Sequence, residues 1–437
     1  MCIRDRSYRS GKGCPPDFSF LRLLMRAKHD PSNASGAMTA QEKRSSISLA
    51  GIFALRMLGL FLILPVFAVY ARHLPGGDSD FLVGLTLGIY GLTQSVLQIP
   101  FGAASDRLGR KPVIVAGLLL FIAGSVVAAM GTTIWAVMIG RALQGAGAIS
   151  AAVTALIADS VRDHVITKAM ALVGASIGLT FAFSLVAAPP LTELWGVPGL
   201  FWLTAVLSAG AVWIVLKVVP DVPAVATEEA DDHQPWPKVA FDPQLMRLNA
   251  GIFCLHCVQM ALFVVIPTQL VEMGLPVLHH WYIYLPAVLI GFAVMMKPII
   301  WAERNRKVAS LLRMNVLLLA VVFVLFSFLM HSVWEVAFLV TLFFIGFNIL
   351  EATLPGLISR TVPKADKGLA LGIYNTTQSF GLFVGGAAGG WIAQHFSSQA
   401  VFYASSFAML CWFLLALGLK EPKPRRQHEQ GEAIQVR

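Results

Sequence analysis

Five ionisable side chains interrupt long runs of apolar residues, and their types suit the binding and release of protons or other ions. These residues are Arg56, Arg141, His256, Lys297 and Glu351. Where such runs cross a lipid bilayer, a charge at its centre costs roughly 2.5–3.5 kcal/mol even on a lenient scale. We therefore expect these five groups to pair with one another or to face a polar cavity.

Proton exchange near neutral pH narrows the set to His256 and Glu351. Histidine titrates near neutrality, and a carboxyl group removed from water can approach it. Lys297 and Glu351 each lie about 17 residues from the end of their apolar run that faces the same side of the membrane, or about 25 Å along a helix. This equal depth predicts an ion pair between them. His256 is alternatively a neutral hydrogen-bonded side chain, and Glu351 a structural partner of Lys297. We expect Arg141 either to have a structural or cavity role or to couple protons. For Arg56 the alternatives are contact with an anion or substrate and packing against helix ends.

A short, strongly charged turn separates two of the apolar runs. It comprises Gly102, Asp106, Arg107, Gly109, Arg110 and Lys111. Residues 81–105 before it and residues 112–140 after it contain no Asp, Glu, Lys or Arg. A turn of this kind between two membrane helices indicates an electrostatic latch and favours a transporter. Alternatively, its charges only set the topology.

The elements that position these residues are twelve predicted membrane helices, which make this an all-α polytopic membrane protein. They cover 48–71, 81–104, 112–131, 134–158, 166–190 and 198–219 in the first half, and 247–271, 280–301, 309–331, 334–358, 367–394 and 398–419 in the second. The composition agrees, because 57% of the residues are hydrophobic and 13% are charged, against about 25% charged in soluble domains. About 20 apolar residues suffice for one crossing.

The net charge of +9 does not indicate a nucleic-acid-binding face, because bases sit in short loops beside the apolar spans. Four of the loops hold twelve Lys and Arg residues, whereas the loops at the opposite ends of the helices hold only Arg72. The positive-inside rule therefore predicts that both termini are cytoplasmic. We expect no nucleic acid as a partner.

The chain divides into two six-helix halves. We expect a tail at 1–44, the first half at 45–219, a flexible cytoplasmic linker at 220–246, the second half at 247–419 and a cytoplasmic tail at 420–437. Residues 1–37 are predicted to be disordered or an upstream translation artefact, with Met38 the more natural start. The halves resemble each other at a spacing of about 200, so that Arg56 corresponds to His256. In such repeats the substrate site lies between the halves near mid-membrane.

Two helices, one from each half, carry a similar polar pattern. Tyr90, Gln94 and Gln98 lie on one, and Tyr374, Asn375 and Gln378 on the other. Tyr and Gln four residues apart share a helical face, which predicts a polar cavity wall or gate where the halves meet. Ordinary interhelical hydrogen bonding is the alternative.

Two motifs resemble those of the major facilitator superfamily. Residues 102–111 are similar to its signature between the second and third helices, and residues 141–147 to a signature of its fourth helix. The resemblance spans about 45–420 and lies nearest the twelve-helix drug:proton antiporter branch. Residues 55–59 and 88–94 look closest to the YajR-type bacterial inner-membrane transporters.

The resemblance implies partners for the charged turn. Asp106 would dock on the N-terminus of the helix that starts near Lys367, where the helix dipole favours an anion. Arg110 would pair with Asp159, at the end of the fourth helix. These contacts would close the cytoplasmic side, while Gly102 and Gly109 would permit close packing.

The expected function is secondary-active export of a small amphipathic compound against protons, in the bacterial inner membrane. The expected protein is a monomer whose partners are the substrate, protons and the lipid bilayer, with no cofactor beyond the proton gradient. Small residues replace the glycines that the antiporter signature has in the fifth helix, so proton symport of a sugar or organic acid stays open. An enzyme is not expected, because no catalytic motif accompanies the spans. A sensor or scaffold, and a metal site at Cys254 and Cys257, are remote alternatives.

Overall fold

The structure is a computed structural model that describes residues 38–162, 165–219, 235–363 and 366–421. Its helices are α1 (Ala40–Phe61), α2 (Leu64–Ala71), α3 (Asp80–Leu108), α4 (Arg110–Met130), α5 (Ile134–Ala146), α6 (Ser150–Ser160), α7 (Ile166–Lys217), α8 (Trp236–Ala240), α9 (Pro243–Glu272), α10 (Trp281–Arg304), α11 (Val308–Phe328), α12 (Val333–Thr361), α13 (Lys367–His395) and α14 (Ser398–Ala416), with a 3-10 turn at Val277–His279. Most of both predicted tails and residues 220–234 of the predicted linker lie outside these ranges.

Polar caps explain where several helices begin. The Thr39 hydroxyl accepts a hydrogen bond from the backbone N–H of Glu42, and the Glu42 carboxylate accepts one from the backbone N–H of Thr39. This capping box starts α1 at Ala40, before the predicted residue 48 and within the predicted tail 1–44. Thr133 and Ser332 cap α5 and α12 at equivalent places in the two halves. α9 likewise starts at Pro243, inside the predicted linker.

Ten helices or helix pairs of the described residues are long and apolar enough to cross a membrane. The ten candidates are consistent with twelve predicted spans, and two features account for the difference. The candidate over 168–217 contains two predicted spans, divided at Gly196 (φ 67°, ψ 173°). α13 has 29 residues but is not among the ten, because its glycines and polar side chains lower its hydropathy.

Two spans predicted as continuous are broken. The first is divided into α1 and α2 at residues 62–63, just before Pro65. The fourth is divided into α5 and α6 at residues 147–149, where Gly145 and Gly147 let neighbouring backbones approach closely. Broken helices within membranes occur where they line a cavity or a binding site.

The helices give the bundle two ends. We call the charged end the one where α3, α6, α10 and α12 end, and the far end the one with the loops at 72–79, 131–133, 273–280 and 329–332. Both described chain termini lie at the charged end.

The halves meet through α3 and α13, whose backbones touch along a stripe of small residues. A Cβ added to Gly84 would lie 2.1 Å from the carbonyl oxygen of Gly386, and one added to Gly390 would lie 2.3 Å from that of Asp80. Gly385 and Gly389 face α9 instead, so each pair of small residues serves a different helix. Together they place α13 between the two halves.

The close backbone contacts at the glycines of α3 and α13 lie in the far-end part of the two helices. They run antiparallel from Asp80 and Gly390 to Gly91 and Ser379. Continued in the same register, they would bring Gly102 opposite Gly368. Yet an added Cβ at Gly368 would meet nothing within 4 Å, and one at Gly102 would meet only Ala151 of its own half. The two helices therefore diverge towards the charged end.

Polar contacts also join the halves at the far end. Gln394 accepts hydrogen bonds from the Ser79 hydroxyl at 2.7 Å and from the backbone of Phe81 at 3.0 Å. Arg72 lies 3.7 Å from Glu272 of the second half. The described residues thus join the halves at the far end, whereas Gly102 and Gly368 near the charged end make no contact between the halves.

Candidate functional site

A polar cluster in the second half joins α9, α12 and α13. The Gln378 amide nitrogen lies 2.7 Å from Nε2 of His256 and 3.4 Å from Oε1 of Glu351. Nε2 of His256 is also 3.8 Å from Oε2 of Glu351. The histidine is buried, with 6% of its surface exposed. Gln378 therefore bridges the two groups in which proton exchange was expected.

The hydrogen bonds define one protonation pattern for His256. An amide nitrogen donates, so Nε2 of the ring accepts from Gln378 and Nδ1 carries the hydrogen. Nδ1 then donates to the backbone oxygen of Ile252 at 3.3 Å. Nearby, Oε2 of Glu351 and the Tyr374 hydroxyl are buried without a hydrogen-bond partner among the described residues. The cluster is therefore compatible with a neutral histidine and has unused capacity for a proton.

The predicted ion pair between Lys297 and Glu351 is wrong. Lys297 is exposed, and it forms no ion pair with Glu351 in the part of the chain that the structure describes. The buried stripe of α10 passes through Tyr284, Val288 and Gly291. Lys297 lies off that stripe, beside the exposed Met296. Equal depth in two spans did not imply facing sides.

A second cluster lies in the first half around the ring of Tyr90. The guanidinium carbons of Arg141 and Arg56 lie 5.0 Å and 5.8 Å from the ring centroid. Both arginines and Tyr90 are fully buried. Arg56 donates to the hydroxyl of Ser150 at 2.7 Å. Side chains from α1, α3 and α5 thus meet around one ring, and Arg56 connects this cluster to the start of α6.

A chain of hydrogen bonds continues from Arg141 into the first half. Its Nη1 donates to Gln144 at 2.9 Å, Gln144 donates to Ser125 at 2.8 Å, and the hydroxyls of Ser125 and Thr204 lie 3.4 Å apart. The roles of Ser125, Ser150 and Thr204 were not foreseen. The glycines at 145 and 147 were the signal that could have indicated Ser150, because they mark the helix break beside it.

The polar side chains on α3 and α13 form no hydrogen bond with one another among the described residues, so the cavity wall or gate stays a prediction. The ring of Tyr90 faces the arginines of the first half, and Gln378 contacts His256 within the second half. The glycine stripes, not the polar ones, make the contact between the helices. Gln94 and Gln98 are buried, and each has at least one side-chain atom without a hydrogen-bond partner among the described residues. For Asn375, the described contacts include only its backbone oxygen, which accepts from Ser379.

The charged turn forms part of the expected pairing. Nε of Arg110 donates to Asp159 at 3.0 Å. Asp106 also accepts from Arg110, within its own loop, and the described residues show no hydrogen bond from the start of α13 to Asp106. The divergence of α3 and α13 accounts for this difference, because it separates the turn from α13. Arg107 is exposed, and Lys111 is half-buried.

The second half has a related pair with its charges exchanged. Arg360, at the end of α12, donates to Glu303 at 2.5 Å, as Arg110 does to Asp159 in the first half. A further pair ties the start of α1 to the segment after α6: Arg162 Nε donates to Glu42 at 2.7 Å, and Nη2 does so at 3.0 Å. Sequence reasoning missed this pair, since its members are 120 residues apart.

Aromatic rings lie between the clusters. Phe181 of α7 packs against Phe61 at 4.9 Å and against Phe344 and Phe347 of the second half at 5.8 Å and 6.1 Å. Phe347 is also 5.8 Å from the ring of His256. The halves therefore meet through rings beside the histidine, a contact that the sequence did not identify.

Comparison with known proteins identifies the family. Residues 49–353 and 300–436 match the Major Facilitator Superfamily. The chain belongs to this superfamily. It is 43% identical over 387 residues to the inner membrane transport protein YajR of Escherichia coli, covering 88% of this chain and 85% of that protein. It is also 24% identical over 357 residues to the multidrug resistance protein MdtH of Proteus mirabilis, covering 77% and 84%.

Solved structures support the fold. A D-xylose–proton symporter superposes with a TM-score of 0.69 at 15% identity, covering 86% of this chain and 98% of that one. As a superfamily member, the protein is an integral membrane transporter of small molecules and not an enzyme, and the predicted resemblance to YajR-type proteins is confirmed. Within the described residues, no cluster of three or more His, Cys, Asp or Glu could hold a metal ion.

Proposed function

We propose that this superfamily member couples the export of a small amphipathic compound to proton entry across the bacterial inner membrane. The observation that carries the proposal is the bridge of Gln378 between His256 and Glu351. The bridge joins two titratable groups in the membrane interior, both on helices of the second half. During transport this half would have to move relative to the first. The name of the E. coli relative supports the inner membrane as the location.

Protonation of the cluster would change its hydrogen bonds. A proton on Nε2 of His256 turns that atom from an acceptor into a donor, so the Gln378 amide can no longer donate to it. The imidazolium would then attract the Glu351 carboxylate, whose Oε2 lies 3.8 Å away. A proton on Glu351 would instead remove its negative charge. Either event alters the contacts that tie α13 to α9 and α12, and α13 also contacts the first half.

The charged turn would act as the gate for the opposite conformation. By the positive-inside rule the charged end is cytoplasmic, so the bundle here opens inward. Closing that end would extend the register of α3 and α13 and bring Asp106 near the N-terminus of α13. The pair of Arg110 and Asp159 would then hold the turn in position.

Proton symport of a metabolite such as a sugar or organic acid is the second candidate. In the fifth predicted span, small residues replace the glycines of the antiporter signature, so symport stays a candidate beside antiport. One proton moving through 100 mV supplies about 2.3 kcal/mol, enough for a roughly 50-fold gradient in either mode. The two modes differ only in the direction of substrate movement relative to the proton.

Proteoliposomes with an internal pH dye test the proposal. Dyes, antibiotics, sugars and amino acids are screened with and without a proton gradient. Export predicts that a substrate gradient drives protons in the opposite direction, and symport predicts the same direction. Glu351→Gln should abolish the proton flux, whereas Glu193→Gln, which alters an exposed residue in a far-end segment, should retain it. Proton-driven transport at the wild-type rate in Glu351→Gln would contradict the coupling role.

A further inference from the structure

We propose that the first half contains an anion-binding site formed by Arg56, Arg141 and the N-terminus of α6. It would take a small anionic group, either the carboxylate of an organic substrate or an inorganic anion. The site deepens the proposed function, because it names a substrate class, and only its use in transport rests on that function. Three independent observations converge on it.

The first observation is an unbalanced buried charge. Arg56 and Arg141 are each 0% exposed. Buried charges are normally paired, because desolvation is costly. Yet the acids of the described first half are used elsewhere or lie near loops. Asp80 pairs with Arg72, Asp106 and Asp159 pair with Arg110, Glu42 pairs with Arg162, and Asp78 and Glu193 lie in or beside far-end segments.

The second observation is the number of unused donors. Nε and Nη2 of both arginines are buried without a hydrogen-bond partner among the described residues, as is the Tyr90 hydroxyl. The two guanidinium groups lie over one ring, at 5.0 Å and 5.8 Å from its centroid. A ring face attracts a cation, but it supplies no acceptor for an N–H group. The donors that remain suit a planar carboxylate or another compact anion.

The third observation is the break between α5 and α6. α6 starts at Ser150 without a side-chain cap, since its N-cap residue is Ile149. The first N–H groups of a helix and its dipole favour an anion. The Ser150 hydroxyl accepts from Arg56 at 2.7 Å, which places a guanidinium at this helix end. The N-terminus of the eleven-residue helix α6 and the buried Arg56 guanidinium thus both present positive charge beside Ser150.

The enclosed position explains why the site would serve transport. Arg56, Arg141 and the Tyr90 ring between them are all buried, so alternating access would have to open the site to the exterior. α3 carries Tyr90 and also contacts α13 of the other half, as Gly84 does with Gly386. A change at the interface of the halves can therefore reach the ring that lies over both arginines.

Binding to the purified full-length chain tests the site without a proton gradient. Thermal unfolding is measured in nanodiscs in a low-salt zwitterionic buffer, into which chloride, nitrate, acetate or benzoate is titrated separately. Benzamide is the neutral isostere of benzoate. We expect at least one of these anions to raise the unfolding temperature in a saturable manner. If it is benzoate, its affinity should exceed that of benzamide by about 10-fold to 100-fold, as charge-assisted hydrogen bonds imply.

Two variants and a control locate the effect. Arg56→Gln and Arg141→Gln should each lose the anion-dependent stabilisation. Without the titrated anion, each variant should unfold at or above the wild-type temperature, because the substitution removes an uncompensated buried charge. Lys297→Gln removes the same charge from an exposed position and should bind anions as the wild type does.

The outcomes separate the alternatives. Stabilisation by chloride or nitrate alone identifies an inorganic-anion site, and stabilisation by acetate or benzoate identifies a carboxylate site. The proposal is wrong if no anion stabilises the wild type, if benzoate stabilises it but benzamide does so equally well, or if both arginine variants bind anions normally. Anion binding without proton-driven transport would retain the site and refute the proposed function.

Discussion

Replacing Gly386 by alanine should open the far end of the bundle. The added Cβ would lie 2.4 Å from the carbonyl oxygen of Gly84 and 3.0 Å from the backbone nitrogen of Gly88. These neighbours are backbone atoms of α3, so no flexible side chain can move aside. Overpacking of this kind costs about 1–3 kcal/mol. Because the clash exists only where the halves touch, this cost falls on the conformation that is closed at the far end.

The population of the opposite conformation should rise accordingly. A differential cost of about 1–3 kcal/mol corresponds to a change of about 5-fold to 150-fold in the ratio of the two states. Spin labels measure this ratio when attached to cysteines at Trp135 and Trp334, which are exposed in the first turns of α5 and α12. The native cysteines are first replaced by alanine. Pulsed electron resonance should show a longer-distance component that grows in Gly386→Ala.

Gly210→Ala is the matched control. Its added Cβ would meet nothing within 4 Å, yet it gains the same helix propensity of about 1 kcal/mol. It should leave the distance distribution unchanged. An unchanged distribution in Gly386→Ala as well would refute the argument that contact between α3 and α13 holds the far end closed.

Three further predictions concern other contacts. Asp106→Asn should slow transport in proteoliposomes without reducing membrane insertion, because it removes the charge proposed to dock on α13; full activity would contradict the gate. Glu42→Gln should lower the free energy of unfolding by about 1–3 kcal/mol, since a paired carboxylate that is only 7% exposed is lost; chemical denaturation measures this, with Glu193→Gln as the control. Phe181→Ala should destabilise the far-end-closed conformation through loss of its ring contacts across the halves, and the same spin labels would show no change if those contacts carry little energy.

Local patterns predicted much of the fold. Apolar runs of about 20 residues define membrane helices whatever surrounds them, because every backbone group must pair within its own helix. The pairing of the charged turn with Asp159 was implied by the resemblance to the superfamily's signature, because the two residues lie 49 positions apart and no local pattern joins them. The repeat placed Arg56 and His256 at equivalent buried positions, and both are buried.

Facing sides and conformation depended on the tertiary structure. The equal depths of Lys297 and Glu351 suggested a pair, but depth does not fix the rotation of a helix about its axis, and Gln378 and His256 are the neighbours of Glu351 instead. The sequence also specified Asp106 and its possible partner helix, yet not which end of the bundle is closed. One sequence supports both conformations of an alternating-access transporter, because they differ in contacts between rigid halves and not in the helices themselves. Here the packing of α3 on α13 and the polar contacts of Gln394 and Arg72 show the far end closed.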